Sequence, residues 1–144
     1  MTTRSAKAHW EGTLFEGKGS VALESSGAGA FDVSWPARTE APGGQTSPEE
    51  LIAAAHASCF SMALSNQLAQ AGGTVEALDT TADVTIEKTE GGFTITGIKL
   101  TVRGRVPGLD AAAFASAAEQ AKTGCPVSKA LTGTAITLDA SLEG

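Results

Sequence analysis

A chain of 144 residues suits one domain, able to bury on the order of 70% of the surface its unfolded form exposes, and 42% apolar with 18% charged residues is the composition of a folded globule. The net charge of -6, with ten scattered Lys and Arg, argues against a nucleic-acid partner, because phosphate binding needs clustered cations. Nothing approaches the roughly 20 apolar residues of a membrane span, and the opening MTTRSAKAHWEG lacks an apolar core, so the expected location is the cytoplasm, with no membrane partner.

In chain order, Ala8 to Phe15 reads as a strand carrying Trp10 and Leu14, a turn follows at Glu16 to Gly19, and Ser20 to Ser25 completes a hairpin. Phe31, Val33 and Trp35 alternate as a third strand that Pro36 ends. Ala37 to Thr46 reads as a flexible connection holding one arginine, Arg38. Ser47 to Ala71 is the longest helical stretch. Ser47 is a suitable N-cap, Pro48 occupies a position where a helix tolerates proline, and Glu49 and Glu50 face the positive helix end. Gly72-Gly73 closes it. Charge is absent from Leu51 to Ala71 and apolar side chains wrap most of the way round, which predicts a core helix with Cys59 in a buried or nearly buried setting.

Two alternating runs come next, LDTTADVTIEKTE and FTITGIKLTVRGRV, joined by a turn at Glu90-Gly91-Gly92; the phase slips at Gly97, which predicts a bulge. Asp110 is placed to cap a helix over Ala111 to Lys122, anchored by Phe114. Cys125-Pro126 opens a short third helix, and Thr134 to Leu142 is the last strand. The order βββ-α-ββ-α-α-β has no βαβ rhythm, so the expected class is α+β with mostly antiparallel pairing, over a single domain spanning 1–144.

Two cysteines far apart in a reducing compartment suggest redox chemistry. A thiol of ordinary pKa is only about 3% ionised at pH 7, and burial lowers that further, so Cys59 needs a cation beside it. Arg38 is the best-placed candidate, with Glu49 to fix its orientation. Ten positions separate Glu49 from Cys59, roughly 15 Å along one helix axis, so Glu49 does not reach Cys59 within its own helix. Either the helix is broken, or Arg38 and Glu49 serve a Cys59 on another subunit; a helix this apolar is easier to bury in a dimer, so the expectation is a site at the interface of a homodimer. Cys125, at a helix start, has a dipole that favours thiolate, and taken alone it is the better nucleophile. If the two sulfurs come within disulfide range they form one redox couple.

Plainer readings compete. Free cysteine often just packs, which would leave an apolar binding module with inert thiols. His56 lies three residues before Cys59, so a Cys–His nucleophile pair is conceivable, although a core histidine with a satisfied hydrogen bond is the commoner case. A metal site from Cys59, Cys125 and His56 is not expected, since no C-x-x-C spacing exists.

The blocks SPEELIAAAHASCFSMALS, DTTADVTIEK and AKTGCPVSKAL resemble the osmotically inducible protein C / organic hydroperoxide resistance (OsmC/Ohr) family, over nearly the whole chain from HWEG to TAITLDASL. The wording AHASCFSMALS is similar to the OsmC branch. The resemblance implies an OsmC-like fold, with sheets wrapped around a long central helix in an intertwined homodimer. It also implies a thiol peroxidase that prefers organic hydroperoxides and uses no metal or flavin cofactor. By position it makes Cys59 the peroxidatic cysteine and Cys125 the resolving one, and it matches Glu49 to the family's glutamate. The family's arginine falls at Lys18 by the Ohr pattern and at Arg38 by the OsmC pattern. The implied reductant is a dithiol, typically of dihydrolipoyl type.

Overall fold

The computed structural model describes residues 1–143, and the chain divides into two compact units, one over Met1–Leu51 and the other from Ile52 onward. In the first unit, β1 (Lys7–Glu11), β2 (Lys18–Ala22) and β3 (Ala30–Val33) form an antiparallel sheet in that order. The first strand is shorter than its sequence suggests. It ends at Glu11, just before Gly12, whose φ of +92° turns the chain, so Leu14 and Phe15 leave the sheet. Trp10 lies over Gly19, where an added Cβ would stand 2.6 Å from the indole, so the hairpin needs glycine at that position.

Trp35 corrects the sequence reading. The third strand stops at Val33, and Ser34 instead caps a short helix, α1 (Trp35–Thr39), its Oγ accepting from the Ala37 N–H at 3.3 Å. Pro36 lies in the first turn of that helix, where the missing N–H has no partner to lose. Arg38 therefore sits on a capped helix and not in a flexible connection.

α2 (Pro48–Gln70) begins where expected: the Ser47 Oγ accepts from the Glu50 N–H at 3.1 Å. It ends at Gly72 (φ +86°), with the Gly73 N–H donating to the Leu68 carbonyl at 2.9 Å. Burial along it is one-sided. His56, Phe60, Leu64 and Leu68, four residues apart, are sealed, whereas Ala54, Ala55, Ser58 and Met62 are exposed. A helix apolar most of the way round is thus fully covered along one stripe within a single chain.

In the second unit β4 (Ala77–Thr89) and β5 (Gly92–Arg105) form a long hairpin. Its register shifts at Thr85/Ile86, opposite Gly97 and Ile95, leaving Thr96 as the extra residue beside the expected bulge at Gly97. α3 (Ala111–Gly124) is capped by Asp110, whose Oδ1 accepts from the Ala113 N–H at 2.7 Å. α4 (Pro126–Ala130) follows, and β6 (Ala135–Leu142) returns parallel to β5. Most pairings are antiparallel as expected, and β6 is the exception. The two helices between β5 and β6 supply the long crossover that a parallel pair requires. The core gathers Phe60, Leu64 and Leu68 of α2, Ile98, Leu100 and Val102 of β5, and Phe114, Ala117, Ala118 and Ala121 of α3.

Candidate active site

The two cysteines meet. Cys59 lies half-buried on α2; Cys125 is fully buried at the junction where α3 ends and α4 begins, its N–H donating to the Ala121 carbonyl at 3.0 Å. Their Sγ atoms are 2.8 Å apart across 66 residues of sequence, and both are free thiols. A disulfide bond is about 2.04 Å long, so less than about 1 Å of approach separates this pair from a covalent bond.

The surroundings treat the two sulfurs differently. At Cys59 burial pushes the thiol pKa up, and contact with Cys125 pushes it further; the Val127 N–H opposes them without prevailing. At Cys125 burial also acts upward, but it is outweighed by hydrogen bonding from the Cys59 thiol, the Ser128 N–H and hydroxyl, and the Val127 N–H, so its pKa lies below the ordinary thiol value. The Cys125 sulfur makes no side-chain cap hydrogen bond to α4, yet the Val127 and Ser128 N–H groups favour its thiolate. Within one chain, therefore, the negative charge of the pair collects on Cys125.

In the first unit, Arg38 and Glu49 form the ion pair anticipated from sequence. The Arg38 Nε lies 2.9 and 3.1 Å from the two Glu49 oxygens, and Nη2 lies 2.8 Å from Oε1. Glu49 is buried, at 5% exposure, while Arg38 keeps about a third of its side-chain surface open. The guanidinium also stands 5.7 Å from the centre of the Trp35 ring, so it is held from two sides, and its Nη1 has no hydrogen-bond partner among the described residues. Beside it opens a mostly apolar cleft of about 370 Å³ lined by Trp10, Leu14, Val33, Trp35 and Arg38. Lys18, the other candidate cation, lies in β2 opposite Glu11. Glu49 binds Arg38.

One residue was missed by the sequence reading. Ser128, 3% exposed, bonds the Nε2 of His56 at 2.7 Å, and His56 is itself fully buried. His56 is thus engaged with Ser128, the situation of a core histidine, and not with Cys59 as a Cys–His nucleophile pair would require. Burial holds its pKa below the ordinary 6.5, so at neutral pH the ring is uncharged. The available signal for Ser128 was its place three residues after Cys125 at the start of a helix, where residues at i and i+3 face the same way. Among the described residues no group of three or more His, Cys, Asp or Glu is placed to hold a metal, and no helix is long and apolar enough to cross a membrane.

A thiol on a long helix, touching a second thiol at the mouth of a short one, within an α+β scaffold, defines a cysteine-based redox protein. The family model described as OsmC-like protein matches residues 41–141, and the chain belongs to that family. It is 48% identical over 140 residues to Peroxiredoxin OsmC of Escherichia coli (strain K12), across 97% of this chain and 96% of that protein. Among solved structures it is similar to an organic hydroperoxide resistance protein OsmC from Legionella pneumophila, with a TM-score of 0.75, 28% identity and 98% of both chains covered. It is likewise similar to the organic hydroperoxide resistance protein OhrB of Bacillus subtilis, with a TM-score of 0.72, 27% identity, and 95% of this chain and 98% of that one covered. The chemical class is that of a cysteine-based peroxidase.

Proposed function

We propose that this chain, a single OsmC-like domain acting in the cytoplasm as a homodimer, reduces organic hydroperoxides to alcohols. The observation that carries the reading is the 2.8 Å contact between Cys59 and Cys125. In the first step the Cys59 thiolate attacks the outer peroxide oxygen. The O–O bond breaks, the alkoxide takes a proton and leaves as alcohol, and Cys59 is left as a sulfenic acid. In the second the Cys125 thiolate attacks the Cys59 sulfur and expels hydroxide, which is protonated to water, forming the Cys59–Cys125 disulfide. An external dithiol, of the dihydrolipoyl class, then returns both thiols by exchange.

The first step needs negative charge on Cys59, whereas one chain alone gathers it on Cys125. A guanidinium at Cys59 reverses that preference. Arg38, oriented by Glu49, is the cation suited to the task, and a second copy of the chain supplies it. The half-uncovered apolar α2 supports such an assembly, and the Trp10–Leu14–Trp35 cleft beside Arg38 suits an alkyl or lipid tail better than a small polar peroxide. The Legionella and Bacillus relatives are named for organic hydroperoxide resistance, in keeping with this substrate class.

The test is non-reducing mass spectrometry before and after one equivalent of cumene hydroperoxide. Wild type is expected to lose two hydrogens in a Cys59–Cys125 linkage. Cys59→Ser is expected to consume no hydroperoxide, and Cys125→Ser to stop at a trapped sulfenic acid. Full turnover by Cys59→Ser would refute the assignment.

A further inference from the structure

α2 and α4 are joined by two rungs. His56 and Cys59 stand three residues apart on α2, and Cys125 and Ser128 stand three apart across the start of α4. The pairs meet in antiparallel order: the His56 Nε2 lies 2.7 Å from the Ser128 Oγ, and the Cys59 Sγ lies 2.8 Å from the Cys125 Sγ. Both partners of the first rung are sealed from solvent.

The hydrogen of that rung can be placed. The His56 Nδ1 is buried without a partner among the described residues. A buried N–H with no acceptor is the rarer and costlier defect, so the single proton of the neutral ring belongs on Nε2, where Ser128 receives it. The hydroxyl hydrogen of Ser128 is then free to turn to the Cys125 sulfur, consistent with that hydroxyl favouring the Cys125 thiolate.

We infer that His56, acting through Ser128, is a positioning residue that holds the Cys125 sulfur against Cys59 for closure of the disulfide. The inference rests on the proposed roles of the two thiols, and it assigns His56 to the second chemical step alone. α4 is one short helix behind a proline; besides the rung it reaches α2 only where Cys125 and the Val127 N–H meet the Cys59 sulfur among the described residues, so loss of the rung leaves Cys125 less firmly placed.

Four reduced proteins separate the outcomes: wild type, His56→Leu, His56→Gln and Ser128→Ala. Gln replaces the ring N–H with an amide N–H of similar reach, whereas Leu removes it. After one equivalent of cumene hydroperoxide, peroxide loss is expected to stay within about twofold in all four. Disulfide closure is expected to slow about tenfold in His56→Leu and Ser128→Ala, since modest misplacement of reacting atoms has effects of this size, with Cys59 sulfenic acid captured by dimedone. His56→Gln is expected to recover most of the closure rate. Closure at the wild-type rate in both His56→Leu and Ser128→Ala overturns the inference, as does slow closure in His56→Gln with normal closure in Ser128→Ala. If His56→Leu fails to fold by circular dichroism, Ser128→Ala decides.

Equilibration with oxidised glutathione keeps this result apart from the peroxidase reading, because it closes the same disulfide without peroxide. A wild type inert to hydroperoxide defeats that reading alone. In that case a glutathione-driven closure rate about tenfold lower in Ser128→Ala still supports the rung, and an unchanged one overturns it.

Discussion

Arg38 and Glu49 show how a charge is made useful. Glu49 is buried and takes two of the guanidinium nitrogens, so Arg38 cannot relax toward solvent, and its Nη1 keeps a fixed direction. Arg38→Met is expected to lower kcat/KM for cumene hydroperoxide about 100-fold, the usual scale for removing one positioned electrostatic donor. It is also expected to raise the pH at which iodoacetamide labels Cys59. His56 carries a different liability. Burial depresses its folded pKa, so below the ordinary 6.5 the unfolded chain binds a proton that the folded chain refuses. Stability therefore falls as pH drops through that window, by up to about 1.4 kcal/mol per pH unit until the folded pKa is reached. Urea midpoints measured from neutral to mildly acid pH are expected to decline less steeply for His56→Gln than for wild type.

At the scale of elements, the strength of a local signal decided how well it could be read. Ser47, Asp110 and the turn at Gly91–Gly92 act through neighbours a few residues away, and each does what its sequence context suggests. Trp35-Pro36 was misread because proline ends a strand and also starts a helix. The choice fell to Ser34, whose hydroxyl caps α1 and also donates to the Gln45 side chain at 2.6 Å. α3 carries one large anchor: the Phe114 ring lies on β5 where Gly104 has no side chain. A Cβ there would stand 2.6 and 2.7 Å from ring carbons and 3.1 Å from Leu78. Gly104→Ala is expected to lower the urea midpoint by an amount worth about 1–3 kcal/mol, the range for overpacking a filled core.

At the scale of the whole molecule, α2 poses a surplus. Its apolar side chains wrap most of the way round, yet Met62 is 72% exposed and Ala54, Ala55 and Ser58 lie open nearby. A second copy covering that face would remove the apolar surface from water and deliver Arg38 to Cys59 in the same event. In the proposed homodimer, Met62→Asp is expected to shift the protein from dimer to monomer in sedimentation velocity and to abolish hydroperoxide turnover. It should still allow oxidised glutathione to close the Cys59–Cys125 bond, because both thiols belong to one chain. A dimeric Met62→Asp protein would place the interface elsewhere.

The residue identities alone determined the family, the long helix with its caps and the central hairpin with its bulge, and they nominated the four residues on which the proposed chemistry rests. Those features are written in patterns a few residues long, or in motifs whose spacing is itself the signal. Tertiary structure decided that Cys59 and Cys125 touch, that β6 runs parallel to β5, and that Ser128 faces His56. Each of these joins residues 38 or more positions apart, through packing that no local propensity encodes. The ionisation of the thiols followed from that packing, since a sulfur's pKa is set by the groups folding brings around it.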